Sequence, residues 1–319
     1  MFQNRSVPHV VSFGECMIEL QGQAFGTMQQ TFGGDTLNTA VYLARCGRRH
    51  GIQVSYATGL GDDGLSAGMM QRWADEGIGL DFVRRIPGRM PGLYLIEVDP
   101  KGERRFSYWR DQAAARAYFD VPEGSTPLEA RAAEIDALYF SGISLAILPP
   151  AARERLWAVA RSLRARGATV VFDNNYRPRL WPDVATTREA FRRSLELASI
   201  ALLTLDDELA LWGDGTTTLD AQLDRSLDAP CAEVIVKRGS GSTLVRVAGQ
   251  PLTDVPTENV PRVVDTTAAG DSFAGAYLAA RLAGASAIDA ARAGNRLAAR
   301  VVQHRGALID RAAMADLME

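Results

Sequence analysis

The sequence predicts an α/β sandwich: a mostly parallel central sheet with helices on both faces, accompanied by a small separate β-sheet. Short apolar runs alternate with helical stretches along most of the chain, the pattern of strand–helix–strand units around a parallel sheet. Polar residues follow most of these runs, and such sheets place their binding groups beyond the strand C-terminal ends. Two segments, 17–31 and 91–110, break the alternation and read as strands with an exposed face.

Taken in order, His9 to Phe13 is an apolar run that stops at Gly14-Glu15 and reads as the first buried strand. Met17 to Thr31 carries Gly22, Gly26 and several Gln, which suits short exposed strands better than a crossover helix. Phe32-Gly-Gly-Asp-Thr-Leu-Asn38 opens a helix bearing Ala40, Val41, Leu43 and Ala44, with Gly47 as its stop. Gly33 and Gly34 allow a ligand close to the backbone. Asp35 and Asn38 near the helix start read equally as caps or as hydrogen-bonding groups for sugar hydroxyls.

Val54 to Thr58 is a second strand, leading into Gly59-Leu-Gly-Asp-Asp-Gly64. The spacing matches a dinucleotide fingerprint, but Asp62 and Asp63 would repel a pyrophosphate, so the match reads as coincidence. Leu93–Val98 and Arg105–Trp109, joined by a turn at Asp99-Pro-Lys-Gly-Glu103, read as an antiparallel hairpin. Ala137–Ser141, Thr169–Asp173, Ile200–Leu205 and Glu233–Lys237 are further buried strands, and Ala151–Arg166, Thr187–Ala198 and Ala221–Leu227 the helices between them.

Composition narrows the function. With 319 residues, 47% of them hydrophobic, the chain can form one large α/β domain or two modest ones. A net charge of −3 offers no global field for nucleic acid. Cys16, Cys46 and Cys231 are scattered without a C-x-x-C, and His9, His50 and His304 lie far apart, so neither a zinc site nor a disulfide framework is expected. No apolar run is long enough for a membrane span, and no signal core is seen, so a cytoplasmic protein is expected.

The most informative stretch is Asp265-Thr-Thr-Ala-Ala-Gly-Asp-Ser-Phe-Ala-Gly275, before an Ala-rich helix expected over Ser272–Leu282. Small residues let the backbone turn tightly and aim its N–H groups at one spot, and the helix N-terminus behind them favours an anion. Asp271 at the cap position reads as a plain N-cap or as a general base beside that anion pocket. A cap alone needs no such loop.

This stretch resembles the C-terminal signature of the PfkB (ribokinase-like) carbohydrate kinase family, usually Asp-Thr-Thr-Gly-Ala-Gly-Asp, with Ala268 in place of the first Gly. The resemblance covers nearly the whole chain. It implies a ribokinase-like α/β/α core formed by residues 1–14, 33–90 and 112–319, and a β-sheet lid formed by 15–32 and 91–111. It makes Asp271 the catalytic base and the Ala269, Gly270 and Asp271 amides an anion hole, with Ala268 in the same turn. ATP with Mg²⁺ is the implied donor, and a monovalent cation is left open. Phosphoryl transfer needs positioning and charge neutralisation more than covalent chemistry, which suits a chain with neither a P-loop nor the protein-kinase motifs.

Lys237-Arg-Gly-Ser-Gly241 resembles the family's nucleotide-binding turn, with Gly239 and Gly241 near the nucleotide, and Asn295 falls where the family lines the adenine pocket. The family's Asn-x-x-Glu is replaced by Thr204-Leu-Asp-Asp207 with Glu208 adjacent. Asp207 or Glu208 could meet Mg²⁺ through water, or form only an acidic helix start. For the acceptor, Arg110 beside Tyr108, and Arg177 after a strand end, imply an acidic sugar, since guanidinium pairs with carboxylate. Together with Tyr94 these segments resemble the kinases of 2-keto-3-deoxygluconate within the family. Gly33, Gly34, Asp35, Asn38, Tyr94, Tyr108, Arg110, Arg177 and Asp271 are the expected sugar contacts. Fructose, ribose or 5-dehydro-2-deoxygluconate kinases, and a non-catalytic sugar-binding relative, are the alternatives. The open edges of a lid sheet favour pairing, so a homodimer through the lid is expected.

Overall fold

Each strand of the main sheet sends alternate side chains to opposite faces, and both faces are apolar. In the computed structural model, which describes residues 7–98 and 104–318, fourteen strands are present. They are β1 (His9–Phe13), β2 (Met17–Gly22), β3 (Met28–Gly33), β4 (Gln53–Leu60), β5 (Ile78–Gly79), β6 (Val83–Arg85), β7 (Leu93–Val98) and β8 (Arg104–Trp109). Then come β9 (Ala137–Ser141), β10 (Thr169–Asp173), β11 (Ile200–Thr204), β12 (Glu233–Lys237), β13 (Thr243–Val247) and β14 (Thr253–Val255).

The main sheet runs β14-β13-β12-β11-β10-β9-β1-β4-β5, with β6 also on β4. It is parallel from β12 to β5, and β13 and β14 add an antiparallel edge. Leu138, Phe140, Val170 and Phe172 point into one core with the helices Pro150–Ala165 and Val184–Leu197. Ala137, Tyr139 and Val171 point into the other, with the helices Asp35–Gly47, Gly64–Asp75, Ala269–Leu282 and Ala287–Val301. Burial on both faces explains why these strands read as apolar runs. The antiparallel edge was not foreseen, because β13 and β14 are short and carry polar Arg246 and Asp254.

The second sheet has the order β3-β2-β7-β8. β2 pairs antiparallel with β3 and parallel with β7, and β7 and β8 form the expected hairpin. The turn expected at Asp99–Glu103 lies outside the described residues. Phe106, Tyr108 and Trp109 of β8 are exposed.

Three expectations are corrected. The strand expected to end at Leu205 stops at Thr204, and Leu205 starts a helix. The helix expected from Thr187 starts at Val184, because Asp183 caps it by accepting from the Thr186 N–H at 2.6 Å. The helix expected from Ser272 starts at Ala269. In the Gly59–Gly64 segment Asp63 is an N-cap, accepting from the Ser66 N–H at 2.9 Å. A Cβ on Gly61 would stand 1.9 Å from the Arg89 carbonyl oxygen, so that glycine serves chain packing.

The helices Asp35–Gly47 and Ala269–Leu282 touch backbone to side chain at Gly275. A Cβ there would stand 2.6 Å from Tyr42 Cβ and 2.8 Å from the Leu43 nitrogen. This seam fixes the distance between Asn38 on one helix and Asp271 on the other. Gly275→Ala should therefore lose about 1–3 kcal/mol of stability through overpacking, despite alanine's better helix propensity. Urea denaturation checks this, and an unchanged or raised midpoint would contradict it.

Candidate active site

The loop before the Ala269–Leu282 helix is organised by Asp265. One carboxylate oxygen accepts from the Thr267 N–H at 3.0 Å and hydroxyl at 2.6 Å, and the other from the Gly306 N–H at 3.1 Å. No local sequence pattern marks this role for Asp265, since Gly306 lies 41 residues away. Ala268 is the helix cap and sits in the left-handed region at φ 59°, which a β-carbon disfavours by about 1–2 kcal/mol. Asp271 is thus not the cap but the third helical residue. The Ala269 N–H donates to the Thr266 carbonyl at 3.2 Å, so it is spent and leaves the expected anion hole. The Gly270 and Asp271 N–H groups find no backbone acceptor among the described residues and remain available to an anion.

The acidic groups around this helix start come from separate strand ends and helices. Asp271 accepts from the Asn38 amide at 2.8 Å, and the Thr39 hydroxyl donates to its backbone carbonyl at 3.2 Å. Asp35 accepts from the Ser141 hydroxyl at 2.5 Å and the Asn175 amide at 2.7 Å. Gly34 caps that helix without a side-chain bond, so neither Asp35 nor Asn38 acts as the cap. Asp173, at the end of β10, accepts from Lys237 Nζ at 3.0 Å and from the Asn175 N–H at 3.2 Å. Burial, reinforced by the negative charge of Asp35, pushes the Asp271 carboxyl up to about 7. Burial likewise raises Asp35. A carboxyl titrating near neutrality beside open amides suits proton transfer.

On the side facing the small sheet, Tyr94 stacks on Tyr108 with centroids 5.9 Å apart. The Tyr94 hydroxyl donates to the Glu19 carboxylate. Gly33 and Gly34 make room for the protein itself: a Cβ on Gly33 would stand 2.6 Å from the Tyr94 hydroxyl, and one on Gly34 2.2 Å from the Glu15 carbonyl. Arg110 does not stand free. It is paired with Glu15, whose side chain is 0% exposed. Among the described residues, Arg110 Nε and Glu15 Oε1 are buried without a hydrogen-bond partner. Arg177 is 52% exposed, donates to the Tyr176 carbonyl at 2.7 Å and lies 3.5 Å from Asp207.

The pfkB family of carbohydrate kinases matches residues 7–313. The chain belongs to this family. It is 48% identical over 308 residues to the 2-dehydro-3-deoxygluconokinase of Dickeya dadantii, spanning 96% of this chain and 98% of that protein. It is 48% identical over 307 residues to the 2-dehydro-3-deoxygluconokinase of Escherichia coli K12, again spanning 96% and 98%. Among solved structures, the fructokinase of Xylella fastidiosa with bound ATP matches with a TM-score of 0.80 at 24% identity, over 97% of this chain and 98% of that one. The fold is ribokinase-like, with the small sheet beside the main one.

The other residues marked out by family resemblance are placed less directly. Gly239 has a positive φ of 62° and Gly241 donates to the Arg238 carbonyl at 2.9 Å, forming a tight turn after β12. Asn295 is buried, accepts from the Thr243 hydroxyl at 2.8 Å and donates to the Pro256 carbonyl at 3.1 Å. It pins the chain after β14, which leaves its amide spent inside the protein. Glu208 is likewise internal: Asn174 donates to it at 3.0 Å and Ser226 at 3.4 Å, and burial pushes its carboxyl up to about 6. Asp207 is 21% exposed and accepts from the Tyr176 N–H at 3.1 Å. Among the described residues no group of three or more His, Cys, Asp or Glu could hold a metal by itself, and none of the helices is long and apolar enough to cross a membrane.

The raised Asp271 carboxyl has a consequence for stability. An unfolded aspartate titrates near 3.9, so the folded state binds this proton more tightly, and its stabilising effect is lost as pH rises through about 7. Asp271→Asn should melt several degrees above wild type at pH 8, and the gap should close towards pH 4. Thermal melts across that range decide it; a gap independent of pH would contradict the burial of this charge.

Proposed function

We propose that this chain transfers the γ-phosphoryl group of ATP, with Mg²⁺, to the 6-hydroxyl of 2-dehydro-3-deoxy-D-gluconate. The observation that carries the substrate is the 48% identity, over nearly the full length, to two kinases named for that sugar acid. The geometry supports the chemistry. Asp271 is the base that takes the hydroxyl proton, and the Gly270 and Asp271 amides face the charge that develops on the phosphoryl oxygens. Arg110 and Arg177 hold the sugar carboxylate, while Gly33, Gly34, Asp35, Asn38, Tyr94 and Tyr108 surround its carbon chain. Arg110 meets the substrate with Glu15 already bound to one of its nitrogens, which orients its remaining N–H groups.

The Lys237–Gly241 turn takes the nucleotide phosphates. Mg²⁺ neutralises those phosphates when bound and keeps most of its waters, so it needs few protein carboxylates. Asp207, partly exposed near Asp173, fits a contact through water; Glu208, consumed by Asn174 and Ser226, does not. Residues 15–32 and 91–111 form a lid over a core of the remaining segments. Exposed Phe106 and Trp109 on β8 support a homodimer through that lid. Three free cysteines suit the cytoplasm.

An assay of ADP release across 2-dehydro-3-deoxygluconate, 5-dehydro-2-deoxygluconate, fructose and ribose tests the reading. The first should be preferred by kcat/KM, and a preference for a neutral sugar would sink it. Arg177→Ala should raise the KM for the sugar acid about tenfold or more while leaving that for ATP near wild type; equal changes in both would exclude carboxylate binding. Asp271→Asn should cut kcat by about a hundredfold or more. In wild type, kcat/KM should fall about tenfold per unit below pH 7 as Asp271 takes up its proton, and a flat profile down to pH 5 would exclude it as the base.

A further inference from the structure

The helix that begins at Asp35, beside the acidic cluster, ends at Gly47, about 18 Å further along its axis. The Gly64–Asp75 helix ends at the same place, with Glu76 as its cap. Between them lies a cavity of about 240 Å³, lined by Arg45, Arg48, Arg49, Glu76, Arg311 and Met318. Arg45 forms its floor, with 6% of the side chain exposed. Its Nε and Nη2 donate to the Glu76 carboxylate at 2.9 and 2.7 Å, and its Nη1 to the Ile309 carbonyl at 2.7 Å. Arg311 Nη2 donates to the same carboxylate at 2.8 Å, so one acid serves two guanidiniums. Arg48 and Arg49 are exposed at the mouth. Among the described residues neither has a carboxylate partner, and Arg49 donates only to the His50 ring at 2.9 Å.

Basic residues at a helix end often answer the dipole of its last turn. Charge counting shows that this accounts for only part of the cluster. Two helix ends supply about one negative charge between them, and Glu76 supplies a second. Four guanidiniums stand against them, which leaves about two positive charges unmet. Asp75, next to Glu76, turns its carboxylate to the Gln71 amide at 2.9 Å on the outer surface. We infer that this cavity binds the dianionic phosphate group of a small phosphate monoester: Arg48, Arg49 and Arg311 take its oxygens, while Arg45 stays with Glu76 beneath. Guanidinium forks match phosphate oxygens in pairs, and the cavity is smaller than those that hold drug-sized ligands. The site is separate from the one described above and does not depend on the kinase reading. Arg311 belongs to the segment that follows Gly306, whose N–H bonds Asp265. Tyr42 already holds that segment through the Ala307 carbonyl at 2.7 Å. A bound phosphate adds a second clamp between the segment and the Asp35–Gly47 helix.

The test uses the full chain with inorganic phosphate and glycerol phosphate as probes, against sodium chloride of equal ionic strength. β,γ-Methylene-ATP and 2-dehydro-3-deoxygluconate are present throughout, so that the Gly270 and Asp271 amides are not open to the probe. Wild type should melt about 2 °C higher at ten times the Kd of either probe, and the rise should saturate. By titration calorimetry Arg48→Gln/Arg49→Gln should bind both probes about tenfold more weakly or worse, with kcat unchanged. Acetate, a single charge, should bind wild type about tenfold more weakly than phosphate does. Arg192→Gln/Arg292→Gln, which removes two exposed charges elsewhere, should bind phosphate as wild type does.

A response no different from that to chloride, phosphate binding unchanged in Arg48→Gln/Arg49→Gln, or an equal loss in the Arg192→Gln/Arg292→Gln control overturns the inference. Glu319 follows Met318 in the sequence and lies outside the described residues. If its charge fills the cavity, wild type gives no response and Glu319→Gln gains one, which also overturns the inference.

Discussion

Crowding of like charge governs this site. Asp35, Asp173 and Asp271 come from three places in the chain and meet at the start of one helix, where burial and the charge of neighbouring acids raise the proton affinity of Asp35 and Asp271. Such a cluster persists only if its lone pairs are met. Each is: Asp35 by Ser141 and Asn175, Asp173 by Lys237 and Asn175, Asp271 by Asn38. Asn175 serves two of the three, joining β10 to the helix that carries Asp35. The neighbours hold the carboxylates in place yet leave Asp271 titrating near 7, so the strain of packing acids together becomes basicity at the residue proposed as the base.

A second acidic–basic pair follows the same logic. Glu15 leaves β1 and Arg110 leaves β8, so their ion pair spans the junction of the two sheets. Buried pairs of this kind contribute little net stability, because desolvation offsets attraction. Here the pair fixes the direction of a guanidinium that would otherwise sample many rotamers. Gly92 makes room for it, since a Cβ there would stand 2.8 Å from Glu15 Oε1.

The sandwich was legible because parallel strands buried on both faces, such as β9 and β10, write themselves as apolar runs. The start of the Ala269–Leu282 helix was not, because Ala268 occupies a left-handed cap that its residue type conceals. Asp271 stood out through the small-residue loop beside it. Ser141, Asp173 and Asn175 did not, since each lies at a different strand end and only topology brings them together. The partner of Arg110 lies 95 residues away, beyond any local pattern. Asn295 and Glu208 were placed by family likeness alone, and the bonds that consume them are long-range.

One joint ties these features together. β3 ends at Gly33 and the helix bearing Asn38 begins at Asp35, so a single residue separates the small sheet from the helix that bonds Asp271. Gly34 is wedged against the Glu15 carbonyl and leaves little slack there. In the proposed reaction, any shift of that sheet over an incoming sugar is transmitted, as through a short lever, to the amide that Asn38 offers Asp271. Capture of the acceptor and alignment of its proposed base become, in that proposed reaction, mechanically one event.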